Sequence, residues 1–225
     1  YMLENRNIMK RVIPDLFNSY AVNPIDDYPS QLFKCLGEAS FNTNANKKIV
    51  VLTPGVFNSA YFEHSYLAQQ MGVELVEASD LYVSRSNNVL MKTINGPKKI
   101  DVIYRRIDDV FIDPKVWRKD SSLGIPGIYN AWKNKKIAIV NAPGSGVADD
   151  KAVYAFVPKM IRFFLKEEPI ISQVKTYVCA FKKDLNYVIN NIEKLVLKPV
   201  NESGGYGILI GPQSSKSELK KYKSN

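Results

Sequence analysis

LVLKPVNESGGYGILIG, residues 195–211, is the stretch on which the reading of the chain turns. Leu195, Val196 and Leu197 form one aliphatic run and Tyr206 to Ile210 another, with the turn-forming residues Asn201 to Gly205 between them, so the pattern predicts a hairpin. Gly204, Gly205 and Gly207 carry no Cβ, which lets the N–H groups of the loop come close to an anion such as a polyphosphate. Lys198, read as part of the first strand, then supplies a point charge on a rigid element. The same residues also suit an ordinary hairpin with a flexible turn. The rest of the chain has to decide between the two readings.

With 225 residues and 45% apolar content, the chain can bury a sizeable core as one large domain or two small ones. No apolar run approaches the roughly 20 residues that span a bilayer, and nothing at the start resembles a signal peptide, so a cytoplasmic protein without membrane partners is expected. Cys35 and Cys179 make no CxxC or Cys/His spacing and read as buried thiols. A lone histidine, His64, argues against a metal site built from His and Cys, and no metal ligand is assigned. The formal charge of +9 raises the question of an anionic partner. Its lysines are scattered over 98–99, 133–136, 182–183 and 216–223, mostly in turns and at element ends. With no arginine-rich helix and no RNA-binding motif, nucleic acid is a minor reading. The chain opens on Tyr1 and stops in a lysine- and serine-rich run, so it reads as a portion of a longer protein.

From the start, Leu3, Ile8, Met9, Val12, Ile13 and Phe17 follow helical spacing up to Tyr20, interrupted at Pro14. Ser30 reads as the N-cap of a helix through Ala39. Lys48 to Leu52 is a strand, Ser59 caps a helix from Ala60 to Met71 that stops at Gly72, and Val73 to Glu77 is a second strand. This β-α-β alternation predicts a partly parallel α/β sheet. Leu81 to Val83 and Val89 to Lys92 add a hairpin, and Ile100 to Ile107 (IDVIYRRI) a further strand. Arg105 and Arg106 point to opposite faces of that strand, so at most one enters a given cleft. With Asp108 and Asp109 next to them, both can equally be neighbouring ion pairs at a strand end.

Asp113 and Pro114 suit the start of a helix, Ile125 to Trp132 forms another, and Lys136 to Val140 is a strand. Gly144, Ser145 and Gly146 follow it, but Asp149 stands where a Rossmann pattern needs glycine or alanine. Asp149 and Asp150 suit the first turn of the next helix, whereas Lys151 there conflicts with the helix dipole unless something anionic is near. The helix, Ala152 to Leu165, is expected to bend at Pro158. A strand over Val174 to Phe181 and a helix over Leu185 to Glu193 lead back to the hairpin.

Four segments in this order carry a family resemblance: TPGVFNSAYFEHSYLAQQMGVELVEASDL (53–81), DVIYRRIDD (101–109), NAPGSGVADDKAVYAFVP (141–158) and LVLKPVNESGGYG (195–207). The chain resembles the circularly permuted ATP-grasp proteins of type 2 and is similar to glutathionylspermidine synthase-like members. The resemblance implies an α/β fold: a substrate-side, β-α-β layered domain with N-terminal helices over 1–140, then a partial ATP-grasp nucleotide-binding domain over 141–225, cut short at its C-terminus. It implies that Lys151 and Lys198 hold ATP phosphates under a loop of Ser203, Gly204, Gly205, Tyr206 and Gly207. It also implies Mg2+, with ligands in a motif preceding this chain; Glu4 and Asn5 mimic that motif and are not assigned to it.

The implied chemistry is carboxylate activation by ATP through an acyl phosphate, followed by attack of an amine, with small-molecule carboxylate and amine substrates. Arg105 or Arg106 would bind the substrate carboxylate or the acyl phosphate. The present chain, as a portion, is expected to be inactive by itself. The competing reading is a non-catalytic module that keeps the fold and offers its basic surface to a protein or nucleic acid.

Overall fold

Apolar strands alternating with helices build a parallel sheet in the first part of the chain. The computed structural model describes residues 1–202 and 204–224. They divide into two units, Tyr1–Pro143 and Gly144–Asn225. In the first unit the order is α1 (Met2–Val12), α2 (Pro14–Ser19), α3 (Tyr28–Glu38), β1 (Ile49–Leu52), α4 (Tyr61–Met71), β2 (Glu74–Val76), β3 (Leu81–Val83), β4 (Val89–Met91), β5 (Lys98–Lys99), β6 (Val102–Arg105), α5 (Ile128–Lys133) and β7 (Ala138–Val140). The second holds α6 (Lys151–Met160), α7 (Lys182–Asn190), β8 (Val196–Leu197), β9 (Leu209–Ile210) and α8 (Lys216–Ser224).

The parallel sheet has the order β2-β1-β6-β7. Central strand β1, IVVL, is buried along its whole length, as expected where both faces of a parallel sheet are covered. Its register sets Val51 against Leu75 on one side and against Tyr104 on the other. Side chains alternate between two cores. Val50 and Leu52 join Ile103, Ile139 and the β3–β4 hairpin residues Leu81, Val89 and Met91 in the larger cluster, with Trp117 and Trp132 packed against it. Ile49 joins Val102, Ala138 and Leu36 of α3 in the smaller cluster on the opposite face.

Asp113 does not begin a helix of its own. Its carboxylate is fully buried and reaches forward in the chain, accepting N–H bonds from Gly127 (3.0 and 3.1 Å) and Tyr129 (3.0 Å) at the start of α5, and from Lys115 (2.9 Å). The donors it satisfies are those a helix start leaves unpaired, so the capping chemistry is right and the helix it serves is a later one.

In the second unit Asp150 is the N-cap of α6, its Oδ1 accepting from the N–H groups of Ala152 (2.7 Å) and Val153 (3.3 Å). Pro158 lies inside that helix, which continues into a π-type turn over Ile161–Leu165. The missing N–H of Pro158 would have bonded the Tyr154 carbonyl, and the side-chain amide of Gln173 donates to that carbonyl instead.

Several expectations are corrected here. Val174 to Phe181 is not a strand: the β-branched residues are present, but the segment pairs with no strand among the described residues. The hairpin is shorter than its apolar runs: β8 and β9 pair only as Val196↔Ile210 and Leu197↔Leu209. Lys198 therefore lies just past the paired strand, and Tyr206 to Ile208 belong to the turn because Gly204, Gly205 and Gly207 take φ of +63°, +85° and +66°. Cys35 and Cys179 are exposed, not buried. Among the described residues no helix is long and apolar enough to cross a membrane.

Candidate functional site

The glycine hairpin and the start of α6 are joined directly. Lys151, the first residue of α6, donates from Nζ to the carbonyls of Glu202 (2.5 Å) and Val200 (3.4 Å) in the ascending arm of the loop, and its own N–H points at Val200 O (3.4 Å). The carbonyl dipoles offset the clash between a cation and the positive helix end, so Lys151 is stable at that position without an anion. Two of its three ammonium donors are used. Lys198 is exposed and forms no ion pair among the described residues. Tyr206 is exposed, and Ser203 lies outside the described residues.

The loop glycines differ in what they require. A Cβ on Gly205 would meet nothing within 4 Å, so only its backbone angle calls for glycine. A Cβ on Gly207 would stand 2.8 Å from Pro199 Cγ. Positive φ, open space above Gly205 and an exposed lysine at the base of the loop are the features of a backbone anion cradle. These residues fit phosphates. Among the described residues no three His, Cys, Asp or Glu side chains come together as a metal site.

Arg105 and Arg106 belong to the first unit, at the carboxyl ends of its parallel strands. Arg105 is 7% exposed. Its guanidinium donates to the carbonyls of Ile107 (2.5 Å), Asn141 (2.6 Å) and Ala142 (3.2 Å) and pairs with Asp109. These bonds tie the end of β6 to the chain leaving β7, and the ion-pair reading at the strand end applies to this residue.

Arg106 has a different environment. Its Nη2 meets Glu63 Oε1 of α4 at 2.7 Å, its Nη1 lies 3.2 Å from the Tyr104 hydroxyl, and the guanidinium sits 5.7 Å from the Tyr104 ring centre. The pair is partly open, with Arg106 24% and Glu63 32% exposed, so its worth to stability is about 0–1 kcal/mol.

Beside it are residues the sequence did not single out for this edge. The Thr53 hydroxyl and His64 Nδ1 are 2.9 Å apart, both buried, and Gly55 N–H donates to the same hydroxyl (3.2 Å). Burial, and then the Arg106 charge, push the His64 pKa down, so the ring is held neutral. The Tyr28 phenol is pushed up by burial and then by Tyr104 and Glu63. The available signal was positional: Glu63 and the chain's one histidine open the helix that follows the first strand. β2 lies on one side of β1 and β6 on the other, which makes this the topological switch point where ligands of open α/β sheets bind.

The first unit thus offers a parallel α/β sheet with a polar carboxyl edge, and the second a lysine-linked glycine hairpin. The family model for circularly permuted ATP-grasp type 2 matches residues 1–225, and the chain belongs to that family. An uncharacterized protein of Synechocystis is 52% identical over 218 residues, covering 97% of this chain and 45% of the relative. An uncharacterized protein of Mycobacterium tuberculosis is 50% identical over 219 residues, covering 97% and 40%. A Frankia casuarinae protein named "Putative glutamate--cysteine ligase 2-2" is 37% identical over 222 residues, covering 97% and 25%. The chain thus spans less than half the length of these relatives.

Proposed function

We propose that the chain provides the phosphate-gripping hairpin and one substrate surface of an ATP-dependent carboxylate–amine ligase. The observation that carries this reading is the bonding of Lys151 to the arm of the glycine loop, which holds two lysine-bearing segments and the loop as one cradle. The third ammonium donor of Lys151 and the exposed ammonium of Lys198 then meet phosphate oxygens, and the loop N–H groups, oriented by positive φ at Gly204, Gly205 and Gly207, add to them. When bound, ATP supplies the γ-phosphoryl group that turns a carboxylate into an acyl phosphate, which an amine converts to an amide with release of phosphate. Arg106, the more open of the two arginines, takes the substrate carboxylate. Arg105 positions the chain around it.

Family membership and the ligase name carried by the Frankia relative support the same chemistry. The metal ligands expected for such a reaction lie elsewhere in the full-length protein, which is placed in the cytoplasm on this reading. The test is ATP affinity and ATP-dependent phosphate release by the full-length protein with Lys198→Ala. Loss of a charge-assisted phosphate contact, about 1.5–3 kcal/mol, lowers affinity or turnover roughly 10- to 150-fold. Unchanged values would overturn the assignment, and salt-sensitive oligonucleotide binding without any ATP-dependent product would favour a binding module instead.

A further inference from the structure

The Arg106–Glu63 pair is only half used on each side. Among the described residues two of the five guanidinium donors of Arg106 are bonded, to Glu63 and Tyr104. Among the described residues Glu63 accepts through Oε1 from Arg106, and α4, in whose first turn it stands, begins without a side-chain cap. Both partners are partly open to solvent at the switch point of the parallel sheet. Of the groups near them, the Tyr28 phenol is held protonated, His64 is held neutral, and Tyr104 and Thr53 present hydroxyls. The surface therefore sets a cation beside an anion, with neutral hydroxyl and imidazole groups near them.

We infer that this pair recognises the head group of a free α-amino acid, the α-carboxylate on Arg106 and the α-ammonium on Glu63. A simple anion placed on Arg106 would face Glu63, and a simple amine placed on Glu63 would face Arg106. A molecule with both charges on neighbouring atoms satisfies both. It replaces one weak, solvent-screened ion pair with two charge-assisted contacts, while Tyr104 keeps the guanidinium in place. As the substrate of a ligation, the amino acid rests on the reading under "Proposed function"; as a binding site, it does not.

The experiment is calorimetric titration of the full-length protein, without ATP, with the twenty proteinogenic α-amino acids at millimolar concentrations. For each that binds, its N-acetyl and α-carboxamide derivatives follow. The expected result is saturable binding of at least one amino acid, weakened at least tenfold by either blocked end and by Glu63→Gln or Arg106→Gln. The derivative series needs no altered protein, so it remains decisive if a variant fails to fold. Binding of none of the twenty, or equal binding of the blocked derivatives, overturns the inference. Phosphate release measured in parallel separates the two proposals: amino-acid binding with the expected pattern and no ATP turnover sustains this site and removes the ligase.

Discussion

Asp113 and His64 are buried polar residues whose roles give separate tests. Replacing Asp113 by alanine takes the acceptor from the partly buried N–H groups of Gly127 and Tyr129 and from that of the more open Lys115. As the loss of a buried carboxylate that caps the start of α5, Asp113→Ala is expected to cost about 1–3 kcal/mol, read from the urea midpoint. Asp113→Asn keeps the shape and one acceptor oxygen and falls between the two. His64 gives a pH signature. Its folded pKa is lowered, so the unfolded chain takes up the proton first, and stability is full above the unfolded value of about 6.5 and declines as pH falls from there through the folded pKa. A series of urea midpoints from neutral to mildly acidic pH should show this decline, and His64→Gln should remove its share of the slope. Both residues were visible as residue types. Their roles were not, because Asp113 serves a helix start 14 residues later and His64 answers to a hydroxyl 11 residues earlier.

At the scale of elements, helix α6 and the glycine hairpin each allow a graded test. If Gln173 is present to satisfy the carbonyl that Pro158 leaves unpaired, then Gln173→Ala should cost about 0.5–1 kcal/mol, the net worth of one exposed hydrogen bond. In a Pro158→Ala background, where residue 158 has its own N–H, the same change should cost nothing. This double-mutant cycle is read by thermal unfolding. In the hairpin, a Cβ at Gly211 would stand 1.9 Å from the Ile192 carbonyl oxygen, one at Gly207 would meet a flexible ring, and one at Gly205 would meet open space. Destabilisation should therefore rank Gly211→Ala above Gly207→Ala above Gly205→Ala, the last near 1 kcal/mol from its backbone angle alone. The sequence announced the hairpin through its apolar runs. It overstated the paired length because three glycine φ angles take up residues that β-propensity assigns to a strand, and it supplied a strand at Val174 to Phe181 because propensity does not reveal whether a partner exists.

The whole molecule is uneven in its protection. Both extended hydrophobic clusters lie in the first unit, around β1 and β6, whereas Phe163, Phe164, Leu165, Ile170, Ile171 and Val174 of the second are exposed. Amide hydrogen exchange should be slowest at Ile49–Leu52 and Val102–Arg105 and fastest at residues 166–178, which have no regular hydrogen bonding. The β-α-β order was legible from the alternation of apolar runs with helical spacing, since that pattern depends only on local period. The site was less so. Lys151, Lys198 and the glycines stand out as residue types, but the bonds between Lys151 and the loop join positions about fifty residues apart.

Arg105 has a consequence for how the sheet can change. Beyond Tyr104↔Val140 the main chains of β6 and β7 stop pairing, and one guanidinium takes over as a splint, reaching carbonyls on both sides. The mouth of the sheet is thus set by a side chain whose reach and donor count belong to a single codon. A lysine at 105, with three donors for four acceptors, must leave at least one unmet. Arg105→Lys would loosen the seam at that end while the paired strands beneath it stay zipped.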